Sequence, residues 1–271
     1  TIIVVISMFL FFIGKFYVNS TIERAVEANQ NFLDTAKDYI GSRNHLLNSS
    51  MISLYNNADL LESMSYALRN EPTDYWEFRL ERYAESNSFV PTNVDSFINS
   101  FQHMDREIDA IILTGTEMDV SYTYVFNYYH WNLMNPNGSH GPDENSITIT
   151  KPIYEEFARN KIGNLKAYYS KERLNSHLNL NREGMVQIYN LDRELIYSTR
   201  DDLDDLNFTV VVENHETSTW KHENETYYIN YQEDMNLGLI FVGIVPESEI
   251  EEISITYLTV MSIIIIISVF I

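Results

Sequence analysis

Three spacings of apolar residues run along this chain, and each predicts a different kind of element. The first is a three- or four-residue spacing. Ile22, Ala25, Val26, Phe32, Leu33, Ala36, Tyr39 and Ile40 follow it, and no proline occurs in this stretch before Pro72. That spacing places apolar side chains on one face of a helix. Ser20-Thr21-Ile22-Glu23 has the form of a capping box at its start. A break is expected near Gly41-Ser42, with the helix resuming to about Leu68. Pro72-Thr73-Asp74 opens a second helical stretch to about Ser86, with Asp74 and Glu77 as a cap pair. "NVDSFINSFQHMDREI" reads as a third helix after the loop "SNSFVPTN".

The second spacing is the short β-rich run bounded by turn residues, which predicts strands. "IDAIILTG" (108–115) is a compact apolar run closed by glycine. "VSYTYVFNYYHWNLM" (120–134) is dense in Tyr, Phe, Val and Trp, all strand formers. Read as one strand, it puts Tyr122, Tyr124, Phe126 and Tyr128 on one side and Thr123, Val125, Asn127 and Tyr129 on the other. "NPNGSHGPDEN" reads as a loop, "ITITKPIY" and "IGNLKAYYS" as strands, and "KERLNSHL" as a short helix. "MVQIYNLDRELIYSTRDD" (185–202) is a hairpin around the polar turn "NLDRE". "FTVVVE", "TYYINYQ" and "LIFVGIV" supply the last strands, with a turn at Asn236-Leu237-Gly238.

The third pattern has no period. "TIIVVISMFLFFI" and "ISITYLTVMSIIIIISVFI" are uninterrupted apolar runs without a charge. A bilayer core takes about 20 such residues as helix. Two transmembrane helices are therefore expected, at 1–18 and 253–271, each truncated by the limits of the sequence. A signal peptide is the alternative for the first, but no small-x-small cleavage site follows it. The chain then divides into a helical part, 19–107, and an antiparallel-sheet part, 108–252. The expected class is α+β: long N-terminal helices plus an antiparallel sheet, flanked by two transmembrane helices.

Composition narrows the function. The net charge is −21, and Lys15 is the only charge in either end run. An acidic segment argues against nucleic-acid binding. Cysteine is absent, which removes thiolate metal sites and cysteine nucleophiles. Zero cysteine between two spans suits a bacterial surface, with residues 19–252 outside the cell. Asn19, Asn48, Asn137, Asn207 and Asn224 each begin an Asn-x-Ser/Thr triplet, which chance explains in a chain rich in asparagine.

No phosphate loop, HExxH motif or catalytic set is present, so no catalytic residue is assigned and this region is expected to be non-catalytic. His215 and His222 lie near Glu213, Glu216 and Glu223, and a scattered acidic surface explains them better than a metal site. "RDDLDD" fails the EF-hand spacing, because Leu206 and Val212 stand where glycine and glutamate are needed. The aromatic tract is the best candidate for binding. Tyr and Trp combine an apolar face with a polar tip, which suits small molecules, sugars among them. Tyr122, Tyr124, Tyr128 and Trp131 are therefore candidate ligand contacts, with ordinary sheet core as the alternative.

"GNLKAYYSKERLNSHL", "VQIYNLDRELIYSTRDD" and "LGLIFVGIVPESEIEEI" resemble, in order and flavour, the extracytoplasmic sensor region of YesM-type bacterial sensor histidine kinases. Those sensor regions look like Cache domains, extracellular relatives of PAS domains. The resemblance implies a long N-terminal helix and an antiparallel sheet that cups a ligand. It adds Tyr189 and Asp192, in and beside the hairpin turn, as candidate contacts. The Arg-Trp-Tyr set followed by Asp that marks amino-acid pockets has no counterpart at the expected spacing, so the signal stays open.

The resemblance implies a multi-pass membrane receptor and a homodimer joined through the helix at 20–46. It implies a small molecule or an extracellular binding protein as signal and a cognate response regulator as partner. No cofactor is expected in this region, and ATP is expected for a cytoplasmic kinase domain beyond it. A transcription regulator, cyclase or chemoreceptor output is the alternative, and a membrane-anchored ectoenzyme or adhesin the third class.

Overall fold

The computed structural model describes residues 2–85, 93–118, 120–127, 130–134, 146–155, 159–178, 185–199, 218–222, 225–248, 250, 259 and 263. The helices are α1 (Ile2–Tyr55), α2 (Ala58–Arg69), α3 (Pro72–Glu85), α4 (Val94–Met104) and α5 (Lys171–Leu178). The strands are β1 (Ile108–Gly115), β2 (Ser121–Asn127), β3 (His130–Met134), β4 (Ser146–Tyr154), β5 (Lys161–Ser170), β6 (Met185–Asn190), β7 (Leu195–Ser198), β8 (Ser218–His222), β9 (Glu225–Asp234) and β10 (Leu239–Pro246). Residues 86–92 and 135–145, expected as loops, the acidic run 200–205, "FTVVVE" and His215 fall outside the described residues, as does most of 253–271.

The class is α+β, with antiparallel sheets and a long first helix. Several local expectations change. α1 is already helical at Ser20, so the capping box there has no helix start to cap; Thr21 Oγ1 donates instead to the Tyr17 carbonyl at 2.9 Å. α1 also runs through Gly41. One glycine in a helix costs only about 1 kcal/mol, less than neighbouring turns return. The break comes at Asn56-Asn57, where the Asn57 side chain accepts from the Leu60 amide at 3.1 Å and starts α2. α3 begins at Pro72, a favoured first helical residue, and Asp74 sits inside its first turn rather than at the cap. Among the described residues, no helix is long and apolar enough to cross a membrane.

The largest correction concerns the sheet. Two five-stranded antiparallel sheets stand where one was expected, ordered β3-β2-β1-β5-β4 and β7-β6-β10-β9-β8. The compact units divide at 38/39 and 174/175: one holds residues 39–174, the other 1–38 and 175–271. The aromatic tract 120–134 is likewise two paired strands, β2 and β3, not one.

In the unit of residues 39–174, the end of α1, α2, α3 and α4 bury one side of the first sheet. Leu47, Leu54, Met64, Leu68, Phe97 and Phe101 join Ile111, Leu113, Leu165 and Ala167 in a single core. Glycine makes this approach possible. A Cβ on Gly115 would collide with the Leu68 carbonyl oxygen, and one on Gly163 would come within 2.8 Å of Leu68 Cδ1. A partly buried charge cluster fixes α1 to the strand entrance: Arg43 pairs with Asp105 and Glu107, each at 3.1 Å.

In the other unit, α1 lies on the second sheet. Asn230 Nδ2 donates to the Val26 carbonyl at 2.9 Å, Gln232 to Asp34 at 2.7 Å, and Lys37 pairs with Asp234 at 3.2 Å. The hairpin β6–β7 turns through Arg193, at φ 68, and Gly238 at φ 67 closes the turn between β9 and β10.

Candidate functional site

A strand sends successive side chains to opposite faces. Register therefore sorts the first sheet into two rows per face. Tyr122, Leu113 and Leu165 pair across one row, and Tyr124, Ile111 and Ala167 across the next. All six belong to the core beneath the helices. Alternating with them, Thr123, Ile112, Lys166 and Thr150 form a row on the opposite face, followed by Val125, Ala110, Tyr168 and Thr148. None of these eight joins the helix-side core. Thr123 is buried, Ile112, Lys166 and Tyr168 are half-buried, and Thr148 and Thr150 are exposed. This second face is mixed: Ile112, Val125 and Ala110 are apolar, and the other five carry a hydroxyl or an ammonium that a polar small molecule could use.

Two of those groups carry its chemistry. Lys166 makes no ion pair among the described residues, in a chain of net charge −21. Desolvation pushes the Tyr168 hydroxyl above its usual pKa, so it stays a neutral donor. A cation and a hydroxyl two residues apart on one strand face converge on an anionic or carbonyl oxygen. They have the parts of an oxygen-binding site and no nucleophile–base pair. Among the described residues, no group of histidines and carboxylates could hold a metal ion.

The residues singled out from the sequence are dispersed. Tyr122 and Tyr124 come together, but in the helix-side core, where Tyr122 meets Tyr75 edge to face at 6.0 Å. Tyr124 donates to Asp95 Oδ1 at 3.1 Å, and Arg79 holds Asp95 Oδ2 at 2.7 Å. Burial first, and then the Asp95 carboxylate, keep the Tyr124 hydroxyl protonated far beyond its ordinary range. Arg79 also lies 4.6 Å over the Trp76 ring. This cluster ties α3 and α4 to β2. Tyr128 lies outside the described residues, and Trp131 stands opposite Phe126 in the edge strand β3. Tyr189 is buried in the second sheet, its hydroxyl donating to Gln187 Oε1 at 2.6 Å, and Asp192 is exposed in the hairpin turn.

Lys166 and Tyr168 were missed. The alternation in "LKAYY" would have found them: Leu165, Ala167 and Tyr169 point to the core, so Lys166 and Tyr168 face the other way.

No protein-family model matches the chain, and no curated protein matches it in sequence. Solved structures do match. The ligand-binding domain of the Campylobacter jejuni chemoreceptor Tlp3, in complex with L-valine, aligns at TM-score 0.52 and 12% identity over 87% of this chain and 95% of that one. The same receptor's sensory domain without a named ligand gives TM-score 0.52 and 11% identity over 87% and 96%. The likeness is one of fold, shared with the ligand-binding and sensory domain of that chemoreceptor. The extracellular domain of a protein classed as a histidine kinase, vpHK1S-Z8, aligns at TM-score 0.49 and 10% identity over 86% and 98%, too low to carry an argument.

Proposed function

We propose that this chain is the extracytoplasmic sensing region of a two-component sensor histidine kinase of the YesM type. Residues 19–252 lie outside the cell, between transmembrane helices at 1–18 and 253–271. The observation that carries the sensing role is the second face of the first sheet, where Lys166 and Tyr168 stand half-buried without a partner among the described residues. They sit on a fold shared with ligand-binding domains of a chemoreceptor.

The ligand is a small molecule with a carboxylate, held by Lys166 Nζ and the Tyr168 hydroxyl over Ile112. The matched chemoreceptor domain was solved with L-valine and with isoleucine, and amino acids of that class fit this chemistry. Binding acts by favouring one of two arrangements of the receptor, through its differential affinity for them. α1, one unbroken helix from Ile2 to Tyr55, carries the change towards the membrane. The receptor works as a homodimer through residues 20–46, and its kinase domain uses ATP to phosphorylate a response regulator. One observation favours a second reading: chemoreceptor domains match at TM-scores of 0.51 and 0.52, so a chemoreceptor output is the alternative.

The test has two arms. Thermal melting of the full chain in detergent micelles is followed with L-valine and L-isoleucine. Saturable stabilisation that disappears in Lys166→Met is expected. Equal stabilisation in the variant, or none in either protein, overturns the site. The segment encoded after Ile271 is then assayed for ATP-dependent autophosphorylation on histidine. Its absence, with a methyl-accepting helical segment in its place, selects the chemoreceptor output.

A further inference from the structure

We propose that the outer face of α3 docks a cationic amphipathic helix of another molecule. The apolar residues of that helix cover Trp76 and Leu80, and its lysines or arginines meet Asp74, Glu77, Glu81 and Glu85. α3 buries Tyr75 in the helix-side core of the first sheet. On its outward side Trp76, Leu80 and Tyr83 are 47%, 67% and 62% exposed. Their three- and four-residue spacing makes them one stripe. Outside the span proposed for residues 1–18, no other helix exposes more than one large apolar side chain among the described residues. Single exposed apolar residues are ordinary, whereas a row of them marks a surface that meets something. The spacing is that of the anchors by which one helix recognises an apolar surface.

Charge says what kind of partner fits. Asp74, Glu77, Glu81 and Glu85 are all exposed and form a row beside the stripe, Glu77 following Trp76 and Glu81 following Leu80. None of the four is in an ion pair among the described residues. The helix's own arginines are engaged elsewhere, Arg79 with Asp95 and Arg82 with Asp59 and Glu62. Glu77, Glu81 and Glu85 succeed one another at four-residue spacing, where like charges repel. Glu85 also stands in the last turn, where the helix dipole disfavours an anion. The row therefore works against α3 by itself, and a cationic partner relieves it. A second copy would set the row against a molecule of net charge −21. An anionic membrane surface would repel it as well. The face uses neither Lys166 nor Tyr168 and stands or falls independently of them.

The test uses the full chain in phosphatidylcholine nanodiscs, labelled with 5-fluorotryptophan. The Trp76 fluorine signal is assigned by its loss in Trp76→Phe. The probe is a synthetic peptide of leucine and lysine patterned as an amphipathic helix, and its control carries glutamate in place of each lysine. A saturable shift of the Trp76 signal is expected with the lysine peptide and none with the glutamate peptide. Affinity should fall at least about tenfold in Leu80→Gln and in Glu77→Gln/Glu81→Gln. Glu77→Lys/Glu81→Lys should reverse the preference and bind the glutamate peptide. Lys166→Met should change nothing. No saturable shift, equal affinity in the variants, or equal binding of the two peptides overturns the proposal. So does a Trp76 shift without peptide: on raising the protein concentration it makes a second copy the occupant, and on changing to phosphatidylglycerol it makes the membrane the occupant.

Discussion

The two sheets share a cyclic strand order and use their faces differently. In each, the first and last strands of the unit pair at the centre, β1 with β5 and β6 with β10. The cycle opens at different places: the third strand, β3, lies beside the second in one sheet, and the third strand, β8, beside the fourth in the other. On the first sheet four helices share one face, and the other carries Lys166 and Tyr168 half-buried. On the second sheet a single helix takes one face through polar contacts, and the other face is an apolar cluster around the buried amide of Gln187. Strand order therefore sets which residues are neighbours. The chemistry of a face is set by what alternates with the core positions.

If that comparison holds, damage to the helix side of the first sheet should cost most. Gly115→Val drives a side chain into the Leu68 carbonyl and should destabilise the chain by about 3 kcal/mol or more in urea unfolding. A variant as stable as the parent would mean that α2 does not pack there.

The second sheet should be less demanding. A Cβ on Gly243 would meet the Asn29 amide nitrogen at 2.6 Å, so Gly243→Ala should cost about 1–3 kcal/mol. Asn29 is fully buried, and neither of its amide atoms is paired among the described residues. Asn29→Ala should therefore recover much of that loss in a double-mutant cycle. Strictly additive effects would break the proposed contact.

Alkali should separate the units. Burial raises the tyrosine pKa at Tyr75, Tyr122, Tyr124, Tyr168 and Tyr169 in one unit, and at Tyr197 and Tyr231 in the other. A folded pKa above the unfolded value means that the unfolded chain loses its protons first. The stability is complete below about pH 10, the unfolded tyrosine pKa, and falls as pH rises beyond it. Tyrosinate absorbance and hydrogen exchange should show the 39–174 unit giving way at the lower pH. Simultaneous loss of both units would contradict the imbalance.

The smallest expected effect on stability is the most informative about function. Lys166→Met removes an unpaired, half-buried cation and should shift stability by less than about 0.5 kcal/mol. A large loss would make Lys166 a structural residue and the face around it a scaffold.

Much of the element map was legible because local patterns suffice for it. β1 was found at its observed limits, and "LIFVGIV" and the hairpin around "NLDRE" were found as strands with their turns. The aromatic tract misled because the same β-rich composition serves one long strand or two paired ones. For Tyr122 and Tyr124 the sequence left pocket and sheet core both open, because a pocket tyrosine and a core tyrosine have the same sequence signature. Only Tyr75, Asp95 and Arg79, brought in from α3 and α4, mark these two as core.

The sequence by itself determined the helix and strand periods, the apolar ends and the acidic charge, since each is a property of neighbouring residues. The tertiary structure alone decided that the strands form two sheets, and which residues share each face. Those depend on long-range pairing and on where α1 to α4 pack. The same decision gives Lys166 and the α3 stripe their places: local spacing put each on a face, and packing left the first without an ion pair among the described residues and the second exposed.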